Sequence, residues 1–253
     1  MTVLSKIFSI KDVVAVKMQF TKQNLISEGK TKRLWATNSP KHAIAEFSDD
    51  AMMYHGKHKI YFPNKGRLCN EINAIFMQAL RDNNIATHFV EKYSDNAAVV
   101  KLAEMIPMEV VVRNYSAGAM VERLGLEYHK KLKFPVLEFC YKNDELGDPV
   151  INEYHAYAMG LCTQEEMSVM CYNAMRINKV LTDLMKEVGI IVADFKLEFG
   201  RTSGHLVVAD EITPNVARFW DKDTLRRMDD NGANPEREYQ EILKRLKGVA
   251  LNS

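Results

Sequence analysis

The run Ile191–Gly200, IVADFKLEFG, places Asp194, Lys196 and Glu198 at every second position, with Ala193, Phe195, Leu197 and Phe199 interleaved. Side chains alternate faces along a strand, so the apolar set faces a core and the three charged groups share the other side. A solvated sheet face shows the same alternation. The following run, LVVADEITP, ends a strongly apolar strand on Asp210-Glu211. Only Arg201–His205 lies between the two runs, which predicts a hairpin. A three-residue loop, Ser203–His205, sets Glu198 directly opposite Asp210. Like charges so placed repel unless a cation sits between them. An oxygen-only pair suits Mg2+, which takes one or two carboxylates plus substrate phosphates. A two-residue Ser203-Gly204 turn puts the two acids on opposite faces, unless a bulge restores the alignment. The metal reading therefore predicts a register.

A metal of that type implies a nucleotide, and the segment Ser27-Glu28-Gly29-Lys30-Thr31-Lys32 offers a grip for phosphates. Lysines at i and i+2 of a strand put both ammonium groups on one side, beside a glycine that permits close approach. The segment is not a Walker A loop, and surface lysines show the same composition. Arg113 closes a Val-Val-Val run ahead of a glycine-containing loop, and Arg218 follows Asp210-Glu211 by one short loop. Both suit recognition of phosphate or carboxylate by the guanidinium fork; a structural ion pair is the other reading of each.

These residues need a scaffold, and the composition supplies one. The 253 residues are 47% hydrophobic and 26% charged, with 34 Lys plus Arg against 33 Asp plus Glu. This is the profile of a folded soluble chain, with no basic excess of the kind a nucleic-acid binder carries. No apolar run reaches membrane-span length. The four cysteines lack zinc spacing and read as reduced thiols of a cytoplasmic protein. The seven histidines form no H-E-x-x-H, and no G-x-S-x-G or cysteine-nucleophile context occurs. Met1–Gln23 reads as an N-terminal extension without signal-peptide character.

Short strands are expected at Leu25–Trp35, Ala43–Phe47, Lys59–Phe62, Thr87–Tyr93 and Ala97–Leu102, with a helix from about Asn70 to Asp82. Pro107 predicts a break, since it cannot donate to a ladder. A new strand begins at Val110, and the boundary between two lobes falls near here. Glu165–Val188 is a long amphipathic helix with a methionine-rich core stripe ended by Gly189. Strands Ile190–Phe199 and Leu206–Ile212 and a helix Pro235–Leu246 complete the chain. The class is α+β with mainly antiparallel sheets: a β-rich lobe over 24–105, a larger lobe over 106–253, and a ligand cleft between them.

Taken in order, EGKTK, VVVRN-x-x-x-G, KND…GDP…NE over Lys142–Glu153, DFKLEFG and DEITP…R-x-WD resemble the phosphoribosylaminoimidazole-succinocarboxamide synthase (SAICAR synthetase) family. The resemblance runs from about Leu25 to Leu246. It implies a Mg2+-dependent ligase of purine biosynthesis with a two-lobed, ATP-grasp-like architecture. Such an enzyme joins carboxyaminoimidazole ribonucleotide (CAIR) to L-aspartate while ATP becomes ADP and phosphate. By the same resemblance, Gly29, Lys30 and Lys32 cover the ATP phosphates. Lys101, Glu104 and Met105 belong to the connection that receives adenine, and Glu109 lies near the ribose. Glu198 and Asp210 match the metal ligands. Arg113 and Arg218 hold the CAIR phosphate, with Ser116 as a substitute hydroxyl. Asp194 and Lys196 face the reacting carboxylate and amine, Lys196 stabilising negative charge and Asp194 accepting the amine proton. A homodimer is also implied. The sequence departs from the family at Ala119, where a hydroxyl is usual, at His55, where Asp or Asn precedes the glycine, and at Asn215, where a carboxylate is usual. Two other readings share the lysine loop and the paired acids: a small-metabolite phosphotransferase, although no H-R-D loop is present, and a nucleotide-binding module without turnover.

Overall fold

The computed structural model describes residues 19–53, 58–228 and 235–250. Most of the expected extension and His55 lie outside these residues. Two antiparallel sheets dominate. The first is ordered β1-β2-β3-β7-β6 and comprises β1 (Lys22–Glu28), β2 (Lys32–Thr37), β3 (His42–Phe47), β6 (Phe89–Ser94) and β7 (Ala97–Lys101). The single strand expected over Leu25–Trp35 is two strands, because the chain turns through Gly29–Thr31 and Glu28 pairs with Arg33. Lys30 therefore sits in the turn and Lys32 opens β2, so the two do not share one strand. A two-stranded ribbon, β4 (Asp50–Met53) with β5 (His58–Tyr61), leads into α1 (Lys65–Asp82).

Helix α1 buries Ile72, Phe76 and Leu80, the apolar spacing that marked it. It begins five residues before the expected Asn70. Its first turn is capped from a distance: Asp49 accepts hydrogen bonds from the Gly66 N–H at 2.9 Å and the Asn64 N–H at 3.3 Å. A carboxylate at a helix N-terminus satisfies orphan donors and complements the dipole. Asn64 holds the N-cap position, but its side chain makes no capping bond.

The second sheet runs β10-β9-β8-β11-β12, with β13 also on β11. Its strands are β8 (Glu104–Tyr115), β9 (Lys131–Tyr141), β10 (Val150–Ile151), β11 (Ile190–Thr202), β12 (His205–Ala209) and β13 (Ala217–Asp221). Pro107 does not interrupt β8. The β8–β11 register shifts between the pairs Glu198↔Glu109 and Gly200↔Met105, and Pro107 falls inside that irregularity. A bulge is where a residue without an N–H is tolerated within a strand.

The further α-helices among the described residues are α2 (Ala119–Leu124), α3 (Glu153–Ala158), α4 (Gln164–Glu187) and α5 (Pro235–Ala250). Helix α4 starts at a capping box formed by Thr163 and Glu166, and Gly189 follows its end at φ 69°. Its methionines Met167, Met170 and Met185 are buried in the main core, which also takes residues from α1, β8, β11 and α5. All four cysteines are free thiols. Among the described residues no helix is long and apolar enough to cross a membrane.

Candidate active site

Strand β11 changes partner halfway along one edge. Residues 190–195 pair with β13, and residues 198–202 pair with β12. The segment Asp210–Val216 crosses between these partners, held by Lys196 N–H to the Val216 carbonyl at 2.9 Å and by Ile212 N–H to Asn73 Oδ1 of α1 at 3.0 Å. Acidic and basic side chains gather at this seam.

The hairpin uses the two-residue turn. Thr202 pairs with His205, and Glu198 stands opposite Ala209, not Asp210. Ser203 and Gly204 have φ 48° and 81°, the primed turn whose twist matches the flanking strands. Regular alternation would then send Asp210 to the far face. Asp210 instead adopts φ 56°, a left-handed conformation that aspartate tolerates. Glu198 and Asp210 consequently line the same cavity. The register expected from the metal reading is thus corrected, and one residue of unusual backbone restores the convergence.

The cavity, about 300 Å³, lies between the two sheets. Gly29, Leu34, Ala45, Val100 and Leu102 contribute to it from the first sheet and the connection, and Met105, Lys142, Glu198 and Asp210 from the side of the second. Lys32 reaches across to Asp210, and to Glu211 at 3.2 Å. Lys196 contacts Glu109 at 2.7 Å and Glu198 at 3.0 Å, and Lys142 contacts the other oxygen of Glu198 at 2.5 Å. Burial disfavours charge on Lys32, but the attraction of Asp210 and Glu211 prevails and raises its pKa. Burial is likewise outweighed at Lys196, chiefly by Glu198 and Asp210. The pKa of Asp210 is lowered against burial, first by Lys32 and then by Lys196. Lys32, Lys196 and Asp210 are thereby each held in the charged form. Glu198 and Asp210 are the two carboxylates that line the cavity itself, each bonded to lysine.

A second charged row runs across three adjacent strands. Arg113, Asp194 and Arg218 are directly paired positions of β8, β11 and β13. Asp194 Oδ2 accepts from Arg113 Nη1 at 2.6 Å, and both its oxygens accept from Arg218 Nη1, at 2.8 and 2.9 Å. Arg113 Nε donates to Glu138 Oε2 at 2.7 Å, and Glu138 also pairs with Arg123. Arg113 and Asp194 are both buried. Ser116 is buried as well, its hydroxyl bonded to the backbone of Glu127 and Lys130, so it anchors the loop.

The remaining expected residues divide. Lys101 and Met105 border the cavity. Glu104 is exposed and paired with Arg201 at 2.9 Å. Lys30 spans the cleft to Asp144 at 2.8 Å. Asn215 donates to Glu211 Oε2 at 3.1 Å and accepts from the Tyr239 hydroxyl at 2.9 Å. An amide suits that place beside Glu211, where a carboxylate would repel it.

Sequence reasoning gave no role to His88, Asn73, Glu138 or Asp144, and none individually to Lys142. Only Lys142 and Asp144 had a signal, within the KND motif. His88 couples the sheets: its N–H bonds the Val208 carbonyl at 2.8 Å and its carbonyl accepts from Lys101 at 2.7 Å. Burial first, then Lys32, pushes its imidazole pKa down to about 4.

Comparison with known proteins agrees with this geometry. The SAICAR synthetase family model matches residues 25–245. The phosphoribosylaminoimidazole-succinocarboxamide synthase of Coprothermobacter proteolyticus is 46% identical over 231 residues, covering 89% of this chain and 98% of that protein. The crystal structure of the Ehrlichia chaffeensis synthase aligns with a TM-score of 0.86 at 36% identity, over 88% of this chain and 98% of that one. A SAICAR synthetase in complex with ADP aligns with a TM-score of 0.84 at 40% identity, over 89% and 98%. Matched from its first strand into its last helix, the chain belongs to the SAICAR synthetase family, ATP-dependent ligases of purine biosynthesis.

Proposed function

We propose that this chain joins CAIR to L-aspartate with conversion of ATP to ADP and phosphate, using Mg2+. The observation that carries the reading is the convergence of Lys32 from one sheet with Asp210 and Glu198 from the other side on one cavity, with Lys196 paired to Glu198. The related structure with ADP supports nucleotide use. Residues 24–105 form the ATP-covering lobe, and 106–253 carry the metal and CAIR sites. Gly29, Lys30 and Lys32 lie over the phosphates, Lys101–Met105 receive the base, and Glu109 stands near the ribose.

Glu198 and Asp210 fit Mg2+. Both donors are hard oxygens, and two carboxylates leave the remaining positions to phosphates and water. Bound there, Mg2+ neutralises charge on the transferring phosphoryl group.

The CAIR carboxylate attacks the γ-phosphorus, ADP leaves, and an acyl phosphate forms. The aspartate amine then attacks that carbonyl, the C–O bond to phosphate breaks, and the departing phosphate carries away the amine proton. Lys196, held protonated by Glu198, offsets the developing negative charge. Arg218 grips the CAIR phosphate. Asp194, bonded to two guanidinium groups, positions Arg113 and Arg218; we assign it this in place of the proton-acceptor role expected from sequence. Ser116 acts through the loop it anchors.

A homodimer completes the reading, with a cytoplasmic setting supported by the four free thiols. Light scattering tests the dimer. For the reaction, the protein is incubated with ATP, Mg2+, CAIR and L-aspartate. ADP should form only with both organic substrates present, together with a succinyl amide product. ADP formation independent of aspartate would favour a phosphotransferase.

A further inference from the structure

We infer that Gly200 sets the width of the base-binding part of the cavity by letting the connection between the sheets lie against β11. This rests on the reading that the cavity takes ATP. Leu102 and Ala103 of the connection and Met105 at the start of β8 line the cavity, with Leu34, Ala45, Ala98 and Val100. This apolar lining suits a planar base. Gly200 stands directly opposite Met105 across the β8–β11 pair.

A Cβ at Gly200 would lie 2.7 Å from Ala103 Cβ, 3.2 Å from Met105 Sδ and 3.3 Å from the Glu104 carbonyl oxygen. The φ of Gly200 is outside the left-handed region, so an L residue is conformationally acceptable and space alone demands glycine. Ala103 Cβ is fixed to the backbone and has no rotamer to relieve the contact. Relief requires movement of the connection itself.

That movement is constrained on both flanks. Leu102 N–H is bonded to the Lys41 carbonyl at 2.9 Å. Glu104 is paired with Arg201, whose Nε is bonded to Glu166 at 2.5 Å. Ala103 and Met105 stand between Gly200 and the cavity, so the displaced connection enters the space the base would occupy.

The test is G200A, alone and with A103G, which removes the methyl group it strikes. G200A should raise KM for ATP about ten-fold while KM for CAIR and aspartate stays within about two-fold and kcat at saturating ATP stays above about half. The double variant should return KM for ATP to within about three-fold of wild type. General loosening of the fold would move all three KM values together and would not be reversed by a second glycine. An unchanged KM for ATP in G200A, or no recovery in the double variant, overturns the inference. If G200A does not fold, a folded double variant with near-wild-type KM supports the inference, and an unfolded one overturns it. Wild-type protein that fails to consume ATP would sink the underlying reading; wild-type turnover with an unaffected G200A sinks only this inference.

Discussion

Replacing Asp194 by asparagine removes one buried negative charge from between two guanidinium groups. The side chain of Asp194 is 3% exposed, that of Arg113 is 8% and that of Arg218 is 31%. Removing one member of a buried ion pair costs about 3–5 kcal/mol, because the partner keeps its charge without compensation. Here Arg113 retains Glu138 and Arg218 retains access to water, which places the expected loss at the low end, about 3 kcal/mol. For a chain of this size each kcal/mol moves the melting temperature about 2–4 °C, so D194N should melt about 6–12 °C below wild type. The same change weakens the two bonds from Arg218 to position 194, so KM for CAIR should rise while KM for ATP holds. Differential scanning calorimetry and steady-state kinetics measure the two effects. A melting temperature within about 2 °C of wild type would show that the row of paired charges does not hold these strands, and the positioning role would fall with it.

Glu198→Gln and Asp210→Asn should each lower kcat/KM by at least about 100-fold, the equivalent of roughly 2.7 kcal/mol of transition-state stabilisation. Both proteins should remain folded by circular dichroism; near-wild-type turnover in both would remove the metal assignment. Asn215→Asp sets a carboxylate where the amide now donates to buried Glu211 at 3.1 Å. It should cost about 1–3 kcal/mol in urea unfolding at pH 7, and no loss would contradict the hydrogen-bond account. Asp221 accepts from the Thr224 hydroxyl at 2.8 Å and pairs with Arg245 at 2.9 Å. Thr224 most strongly, with Arg245, holds its carboxyl at about 2 against an ordinary 3.8, burial opposing. A depressed folded pKa stabilises above the unfolded value and is lost as pH falls through the folded one. The gap between wild type and D221N should therefore be about 2 kcal/mol at pH 6 and shrink between about pH 4 and pH 2. A gap that stays constant to pH 3 would refute that linkage.

Local periodicity made much of the site legible. Period-two alternation put Asp194, Lys196 and Glu198 on one face, and the structure sets Arg113 and Glu109 directly opposite the first and last of them. Helical spacing identified α4 and its methionine core, and Gly189 marked its end. These features depend on residues a few positions apart, whose mutual geometry a strand or helix prescribes.

What tertiary structure alone decided involves residues distant in sequence or backbone angles that composition does not specify. Lys32 meets Asp210 across 178 positions, and Ile212 meets Asn73 across 139. The left-handed φ of Asp210 overrode the alternation rule, and the bulge around Pro107 overrode proline as a strand breaker. At the start of α1, Asp49 supplies the capping bonds that the side chain of the N-cap Asn64 does not make. Residue types in the sequence prescribed the chemistry available and the faces on which it is displayed. The convergence of two sheets on one cavity arose from packing, because long-range contacts are selected by the shape and burial of the whole core rather than by any short stretch of chain.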